Sequence, residues 1–405
     1  MQKRSEASAM LSNKAQSITP SPTLLIDAKA KKMKREGVDV IGFGAGEPDF
    51  ETPEHIKQAA IQAIGDGFTR YTPVAGALDL QEAICHKLKR DNNLSYQPQE
   101  IVASNGAKHS LSNIFAALLN PGDEVIIPAP FWVSYPEIVK IHDGIPVIVP
   151  THIENRCKIT VTELADALTE KTKAIIINSP NNPTGQVYTR TELQAIADFA
   201  IKHNLYVISD EIYEKLIYGK EEHLSIASLG AEIKKRTIVV NGVSKAYAMT
   251  GWRIGYTASI APIAKLMSSI QSHTTSNANA IAQRATIAAL LGPEDSLRDM
   301  RIAFAERRDY MVQQIDTIPE LTCIEPEGAF YVFVDVSRLF GRAYHGQTVT
   351  TSVDFATLLL DNVQVAVVPG SAFGAPDYIR FSYALAMEQM QKGMKRFEQF
   401  IQEIK

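Results

Sequence analysis

The residues of this sequence that could do chemistry sit where short apolar runs end. Lys245 lies just past the run TIVVNG (237–242), beside Ser244, and precedes Met249-Thr250-Gly251, a stretch that breaks a helix. A lysine so placed can enter a site, lose its proton and attack a carbonyl carbon to give a Schiff base. A solvated lysine at a strand end has the same sequence surroundings. Asp210 follows YVIS (206–209). A carboxylate at the end of a buried strand is poorly solvated unless a cation, such as a pyridinium nitrogen, meets it. Capping the next helix is its other common use.

Residues 101–111 (IVASNGAKHSL) read as strand, glycine turn and helix. The first N–H groups of such a helix bind a phosphate, helped by the helix dipole, although an ordinary strand–helix turn looks the same. Trp132, in PAPFWVSYPE (128–137), can lie flat on a heteroaromatic ring or simply pack in the core. Residues 178–185 (NSPNNPTG) form a turn by composition and expose Asn182. Tyr213 stands at a neighbouring run end, with Arg253 close by. Together these residues call for a phosphate, a flat ring, a ring nitrogen that wants a carboxylate and an aldehyde that wants a lysine. Pyridoxal phosphate has all four.

Simpler motifs fail. There is no phosphate-binding G-x-x-x-x-G-K-[ST] and no H-E-x-x-H, and no metal site is expected. Residues 42–46 (GFGAG) make half of a dinucleotide fingerprint, but Glu47 stands where the third glycine belongs and would repel a pyrophosphate. Residues 242–246 (GVSKA) lack the last glycine of a nucleophile elbow.

These residues need a frame that brings strand ends together. The runs 38–43, 124–130, 146–150, 174–180, 206–211, 237–242 and 253–260 are short and continuously apolar, and helical patterns cover 54–64, 110–119, 191–203 and 261–269. Continuous apolar strands separated by helices imply a largely parallel sheet buried on both faces, with ligands at its carboxyl edge. Residues 24–35 read as a helix after an extended Pro-rich stretch at 19–23, and 295–318 as a long connecting helix. Strands are expected at 328–336, 363–370 and 378–384, and an amphipathic helix at 387–405. The fold class is α/β: a large domain with a mainly parallel sheet between helices (54–300) and a smaller α+β domain from both chain ends (19–53 and 301–405), after an N-terminal arm (1–18).

Composition limits the partners. The chain has 405 residues, 45% hydrophobic and 21% charged, with a net charge of −4. That is globular, and it offers no basic field for nucleic acid or an anionic membrane. No apolar run approaches the ~18–20 residues needed to cross a bilayer. Cys85, Cys157 and Cys323 are scattered and odd in number, which suits a reducing compartment. The N-terminus has no apolar signal region, although a transit peptide also fits its charges. A cytoplasmic protein is expected.

The motifs GAGEPDFETP (44–53), RYTPVAG (70–76), NGAKHSL (105–111), PAPFWVSYPE (128–137), NSPNNPTG (178–185), SDEIYE (209–214), NGVSKAYAMTGWRIGY (241–256), EGAFYVF (327–333), VVPGSAFG (367–374) and IRFSYA (379–384) follow one another along the chain. In this order, from residue 19 to the C-terminus, the sequence resembles the class I aminotransferases among the fold-type I pyridoxal-phosphate enzymes. Within them it is most similar to the bacterial aspartate aminotransferase branch that is distinct from the enteric and animal forms.

The resemblance implies the following roles. Lys245 forms the Schiff base and shuttles the proton between substrate Cα and cofactor C4′. Asp210 keeps the pyridine nitrogen protonated. Tyr213 and Asn182 bond the phenolic oxygen, and Trp132 stacks on the ring. Gly106, Ala107, Ser244 and Arg253 hold the phosphate, with Lys108 beside them. Tyr71 reaches the phosphate of a neighbouring subunit, so a homodimer is expected. Arg380 grips the substrate α-carboxylate, the Gly46 backbone touches it, and Trp132 and Asn182 face the substrate. Read without the resemblance, Arg380 is an ordinary strand arginine.

For substrate choice, Lys108 is the candidate for the distal carboxylate of aspartate or glutamate, with Thr23 assisting. Relatives that also aminate prephenate tend to carry a basic residue where this chain has Thr19, so aspartate is the expected substrate. Prephenate or aromatic amination and a carbon–sulfur lyase on the same fold are the alternatives. A non-catalytic effector domain of a transcription regulator fits poorly, because some eighteen residues before the fold are too few for a helix-turn-helix.

Overall fold

The computed structural model describes residues 11–18, 22–220 and 222–405. Its strands are β1 (Ile41–Gly42), β2 (Ile101–Ser104), β3 (Glu124–Ala129), β4 (Ile145–Pro150), β5 (Thr172–Asn178), β6 (Tyr206–Asp210), β7 (Thr237–Gly242), β8 (Gly255–Ala258), β9 (Thr322–Cys323), β10 (Tyr331–Asp335), β11 (Ala343–Tyr344), β12 (Gln347–Thr348), β13 (Val365–Ala366), β14 (Val368–Pro369) and β15 (Tyr378–Ser382). Seven of them form one sheet in the order β2-β8-β7-β6-β5-β3-β4. β8 runs antiparallel to both its neighbours, and the other pairs are parallel.

Alternate residues of the central strands enter different cores. Val125, Ile127, Ala174, Ile176, Ile208 and Ile238 pack with residues of the helices Ala107–Leu118, Ser134–Ile141 and Ala261–Thr274. Ile126, Ile175, Ile177 and Val207 face the other way, against Leu164, Leu193, Ile196, Phe199 and Ile233. Burying one such side chain contributes about 1.5–3 kcal/mol, more than the ~0.2–1 kcal/mol of a cross-strand pair. Burial on two faces therefore fixes this sheet, and its strands read as unbroken apolar runs.

The C-terminal part builds an antiparallel sheet, β14-β15-β10-β9, while β1 pairs in parallel with β13. The helix Asp295–Asp316 carries Leu297, Met300, Phe304, Met311 and Ile315 into a core that holds Ile56, Leu80 and Ile84 as well as Phe330, Phe381 and Phe397. Arg380 on β15 is thereby fixed relative to the large sheet.

Several expectations need correction. The run at 253–260 is the antiparallel strand β8, so the residue before it, rather than the one after it, stands at the carboxyl edge of the sheet. The run at 146–150 lies in the edge strand β4, where Ile148 is 39% exposed; it is not buried on both faces. The strand expected at 363–370 starts late, because Val363 still ends a helix and Gln364 turns left-handed (φ 58°), and it is split, because β13 and β14 pair with different partners. The strand expected at 38–43 contracts to Ile41–Gly42. The helix expected from 110 begins at Ala107, and its polar first turn hides it from hydrophobic periodicity. Pro22 and Thr23 are already helical, in Pro22–Arg35. Residues 19–21, and most of the arm, lie outside the described residues. Within the arm, Asn13–Ser17 is a short helix, and Lys14 Nζ meets Asp143 at 2.8 Å.

Candidate active site

Every parallel strand of the large sheet ends on the same edge, and β8 begins there. Asp210 closes β6, Lys245 lies three residues past β7, Trp132 three past β3, Asn182 four past β5, and Arg253 two before β8. A cavity of about 550 Å³ opens at this edge. Lys245, Asp210, Tyr213, Ala107, Lys108, Trp132, Asn182, Ser244, Arg253, Gly46 and Arg380 all line it.

The anion end is built from backbone. Gly106 (φ 85°) caps the helix Ala107–Leu118, in a conformation that favours glycine. A Cβ there would come within 2.3 Å of Arg253 Nη2. Gly255 lets the helix start approach β8, since a Cβ on it would lie 2.2 Å from the Ala107 nitrogen. Gly106 thus supports the pocket although it does not line it. The Arg253 guanidinium is steered by the Thr250 carbonyl, to which Nη1 donates at 2.8 Å. Dipole, N–H groups and guanidinium converge on one place.

Asp210 is 4% exposed. Tyr135 donates its hydroxyl to Oδ2 at 2.6 Å, and the Ile212 N–H donates to Oδ1 at 3.2 Å. Burial dominates these bonds and pushes the carboxyl up to about 6. The half-buried Lys245 donates from Nζ to the Gly46 carbonyl at 2.5 Å. Burial pulls its ammonium down to about 8, against the pull of Glu47 and with the push of Arg380 and Arg253. Such an amine is readily deprotonated near neutral pH.

Arg380 is 3% exposed, donates from Nη1 to Asn182 Oδ1 at 3.0 Å and from Nη2 to the Gly44 carbonyl at 3.0 Å. Among the described residues, its Nε is buried without a hydrogen-bond partner. The guanidinium lies 4.3 Å from the centre of the Tyr331 ring. Burial pulls its pKa down. Lys108 Nζ stands 4.9 Å over the Trp132 ring, and burial, then Arg253, lowers its pKa. Tyr71 is 90% exposed and lies away from this cavity. The Thr23 side chain and Thr19 fall outside the described residues.

Sequence reasoning missed Tyr135, Tyr331, Asn178 and Thr250. Tyr331 bonds the Tyr213 hydroxyl at 2.9 Å, and Asn178 holds both the Asp210 carbonyl and the Asn182 N–H. Tyr135 sits inside the already suspect PAPFWVSYPE, which was the available signal. Below the Asp210 turn, Glu211, Glu214 and His223 bring metal-ligand-type atoms within 4.8 Å of one another. Lys87, Asn92, Ser209 and Ser225 already bond these carboxylates, so the group is a buried ion-pair network. Among the described residues no helix is long and apolar enough to cross a membrane.

A family model for class I and II aminotransferases matches residues 38–397. An aspartate aminotransferase from Bacillus sp. (strain YM-2) is 50% identical over 393 residues, 97% of this chain and 99% of the relative. A probable aspartate/prephenate aminotransferase from Aquifex aeolicus is 46% identical over 396 residues, 97% of this chain and 99% of the relative. The crystal structure of the aspartate aminotransferase from Rhizobium meliloti superposes with a TM-score of 0.95 at 41% identity, over 98% of this chain and all of that one. By the span of these matches and by its fold, the chain belongs to the class I and II aminotransferase family.

Proposed function

We propose that this chain is a pyridoxal-phosphate-dependent transaminase that moves the amino group between L-aspartate and 2-oxoglutarate, giving oxaloacetate and L-glutamate in two half-reactions at one site. The observation that carries the reading is the convergence of Lys245, Asp210 and Arg380 on one cavity. The names of the relatives support aspartate as the donor.

The residues fit the cofactor. The Gly106 turn leaves a cradle that a Cβ would fill, and a buried carboxylate awaits a cation. Bound there, pyridoxal phosphate would supply an aldehyde conjugated to an electron-withdrawing ring. The N–H groups at the start of Ala107–Leu118, with Ser244 and Arg253, would hold the phosphate. Trp132 would cover the ring, Asp210 would keep a proton on its nitrogen, and Tyr213 and Asn182 would bond its phenolic oxygen. Lys245 would take the proton from substrate Cα and return it at the cofactor's C4′. Arg380 would present its planar fork to the α-carboxylate, beside the Gly46 backbone, and Lys108 would meet the distal carboxylate.

The exposed Tyr71 supports a homodimer in which it completes a second copy's site. The cavity draws Gly44–Glu47 and Arg380 from the two chain ends and its other main groups from between, which supports a division into 1–18, 19–53, 54–300 and 301–405. Three free cysteines suit a cytoplasmic enzyme.

The test is an assay of the purified protein with aspartate and 2-oxoglutarate, and in parallel with prephenate and glutamate. Oxaloacetate formation that disappears in Lys245→Ala is the expected result. Faster turnover of prephenate would move the chain to the aspartate/prephenate relatives. Steady oxo-acid release without an acceptor would indicate a lyase.

A further inference from the structure

Glu47 is an acid in a cavity that gathers cations. Lys31, Lys108, Lys245, Arg253 and Arg380 line this space, with Asp210 and Glu47 as the acids. The proposed reaction gives Asp210 a role and leaves Glu47 without one. A carboxylate that faces anionic substrates repels them, so its presence calls for a separate reason.

Its contacts supply one. Thr250, on the loop that carries Lys245, donates from Oγ1 to Glu47 Oε2 at 2.7 Å. The preceding residue, Gly46, accepts from Lys245 Nζ at 2.5 Å. Thr52 Oγ1 donates to the Ala248 carbonyl at 2.7 Å and accepts from Trp252 Nε1 at 3.0 Å. Arg307 fastens the same segment to the long helix through Asp49, at 2.7 Å. Residues 46–52 therefore run as a strap along the loop 245–252. The loop needs one, because Ala248 (φ 49°) and Arg253 (φ 58°) hold left-handed conformations that cost ~1–3 kcal/mol each.

We propose that Glu47 is a positioning residue for Lys245: held by Thr250, its carboxylate balances the charge of the amine before substrate arrives, while the strap fixes where the amine points. This deepens the transaminase reading and rests on Lys245 as the reacting amine. Among the described residues, Asp210, Arg380, Arg253 and the rings of Tyr213 and Phe330, each ring 5.9 Å away, also act on that amine. After burial, Glu47 is the largest influence on it and the one that favours the ammonium most. Its removal leaves the arginines less opposed, and the amine deprotonates at lower pH.

The test uses cofactor-free protein. Pyridoxal phosphate is added across a pH series, the imine is fixed by borohydride after a short interval, and label on the Lys245 peptide is measured by mass. The pH midpoint of capture reports the amine. In Glu47→Gln the midpoint falls by about one pH unit, as expected for one charge lost from a partly desolvated site. Glu47→Asp restores most of the shift, and Thr250→Val, which frees the carboxylate, falls part of the way. A wild-type midpoint in a folded Glu47→Gln protein overturns the role of Glu47 alone. If that variant does not fold, an unchanged midpoint in Thr250→Val overturns it. Absence of label on Lys245 in the wild type overturns the assignment of Lys245, and the role of Glu47 with it.

Discussion

Tyr135 gives its hydroxyl hydrogen to Asp210 Oδ2 at 2.6 Å, although 75 residues separate them. The tyrosine follows β3 and the aspartate ends β6, so two strand ends meet under the cavity. The bond lowers the carboxyl's pKa but does not offset burial, which keeps it up near 6. Asp210 is thus a stored charge that awaits a cation.

That storage predicts a trade between stability and activity. Moving a carboxyl from 3.8 to about 6 is worth ~3 kcal/mol. The native cofactor-free chain then binds a proton more tightly than the unfolded chain does, so its stability falls as pH rises from about 4 to about 6 and stays lowered above. Asp210→Asn removes the ionisation. In cofactor-free protein, its melting temperature should exceed that of the wild type at pH 8, and the gap should close near pH 4. Transamination should drop by about a thousandfold or more, because in the proposed reaction a neutral amide cannot hold the ring nitrogen's proton. Equal melting curves at pH 8 would remove the claim.

Much of this site was legible because its frame was. Buried parallel strands leave unbroken apolar runs, and polar residues at their ends stand out; Lys245, Asp210 and Trp132 were singled out so, and all three line the cavity. What stayed hidden depends on contacts between distant positions. Tyr213 meets Tyr331 across 118 residues, and Arg380 meets Asn182 across 198. Nothing local marks Arg380 as more than a strand arginine; only the family motif singled it out. Edge position is equally non-local, so β4 read like its central neighbours. Lys87 did leave a trace: with Leu80, Ile84 and Leu88 it falls on the apolar stripe of the helix Leu78–Asn92.

Lys87 is 2% exposed and is bonded to Glu214, one residue past Tyr213, and to Asn92 Oδ1 at 2.7 Å. Burial pushes the Glu214 carboxyl up, but Lys87, His223 and Asn92 together outweigh it and hold the carboxyl below its ordinary range. Lys87→Met leaves that carboxylate buried without its main cation, at a cost of about 3–5 kcal/mol. Because the carboxyl then protonates more easily, the loss should be greatest near neutral pH and shrink in acid. Urea unfolding at pH 7.5 and pH 5 measures it. Lys87→Met combined with Glu214→Gln should recover most of the stability; an additive double variant would show that the pair does not act as one.

Lys108 lies in the first turn after Gly106, where it could serve either phosphate or substrate. Its ammonium stands 4.9 Å over the Trp132 ring and also feels Arg253, and the substrate role proposed for it is the one to test. A charge-assisted bond to a carboxylate contributes about 1.5–3 kcal/mol, so Lys108→Ala should raise the KM for aspartate about 10- to 100-fold. An apolar amino donor has no distal carboxylate, and its KM should change little. Burial also lowers the Lys108 pKa, so in the wild type aspartate binding should weaken at alkaline pH sooner than an ordinary lysine would allow. That alkaline rise in KM should flatten in Lys108→Ala. Equal losses for both donors, with weaker retention of the cofactor, would instead assign Lys108 to the phosphate turn, and the preference for aspartate would need another cation in the same cavity.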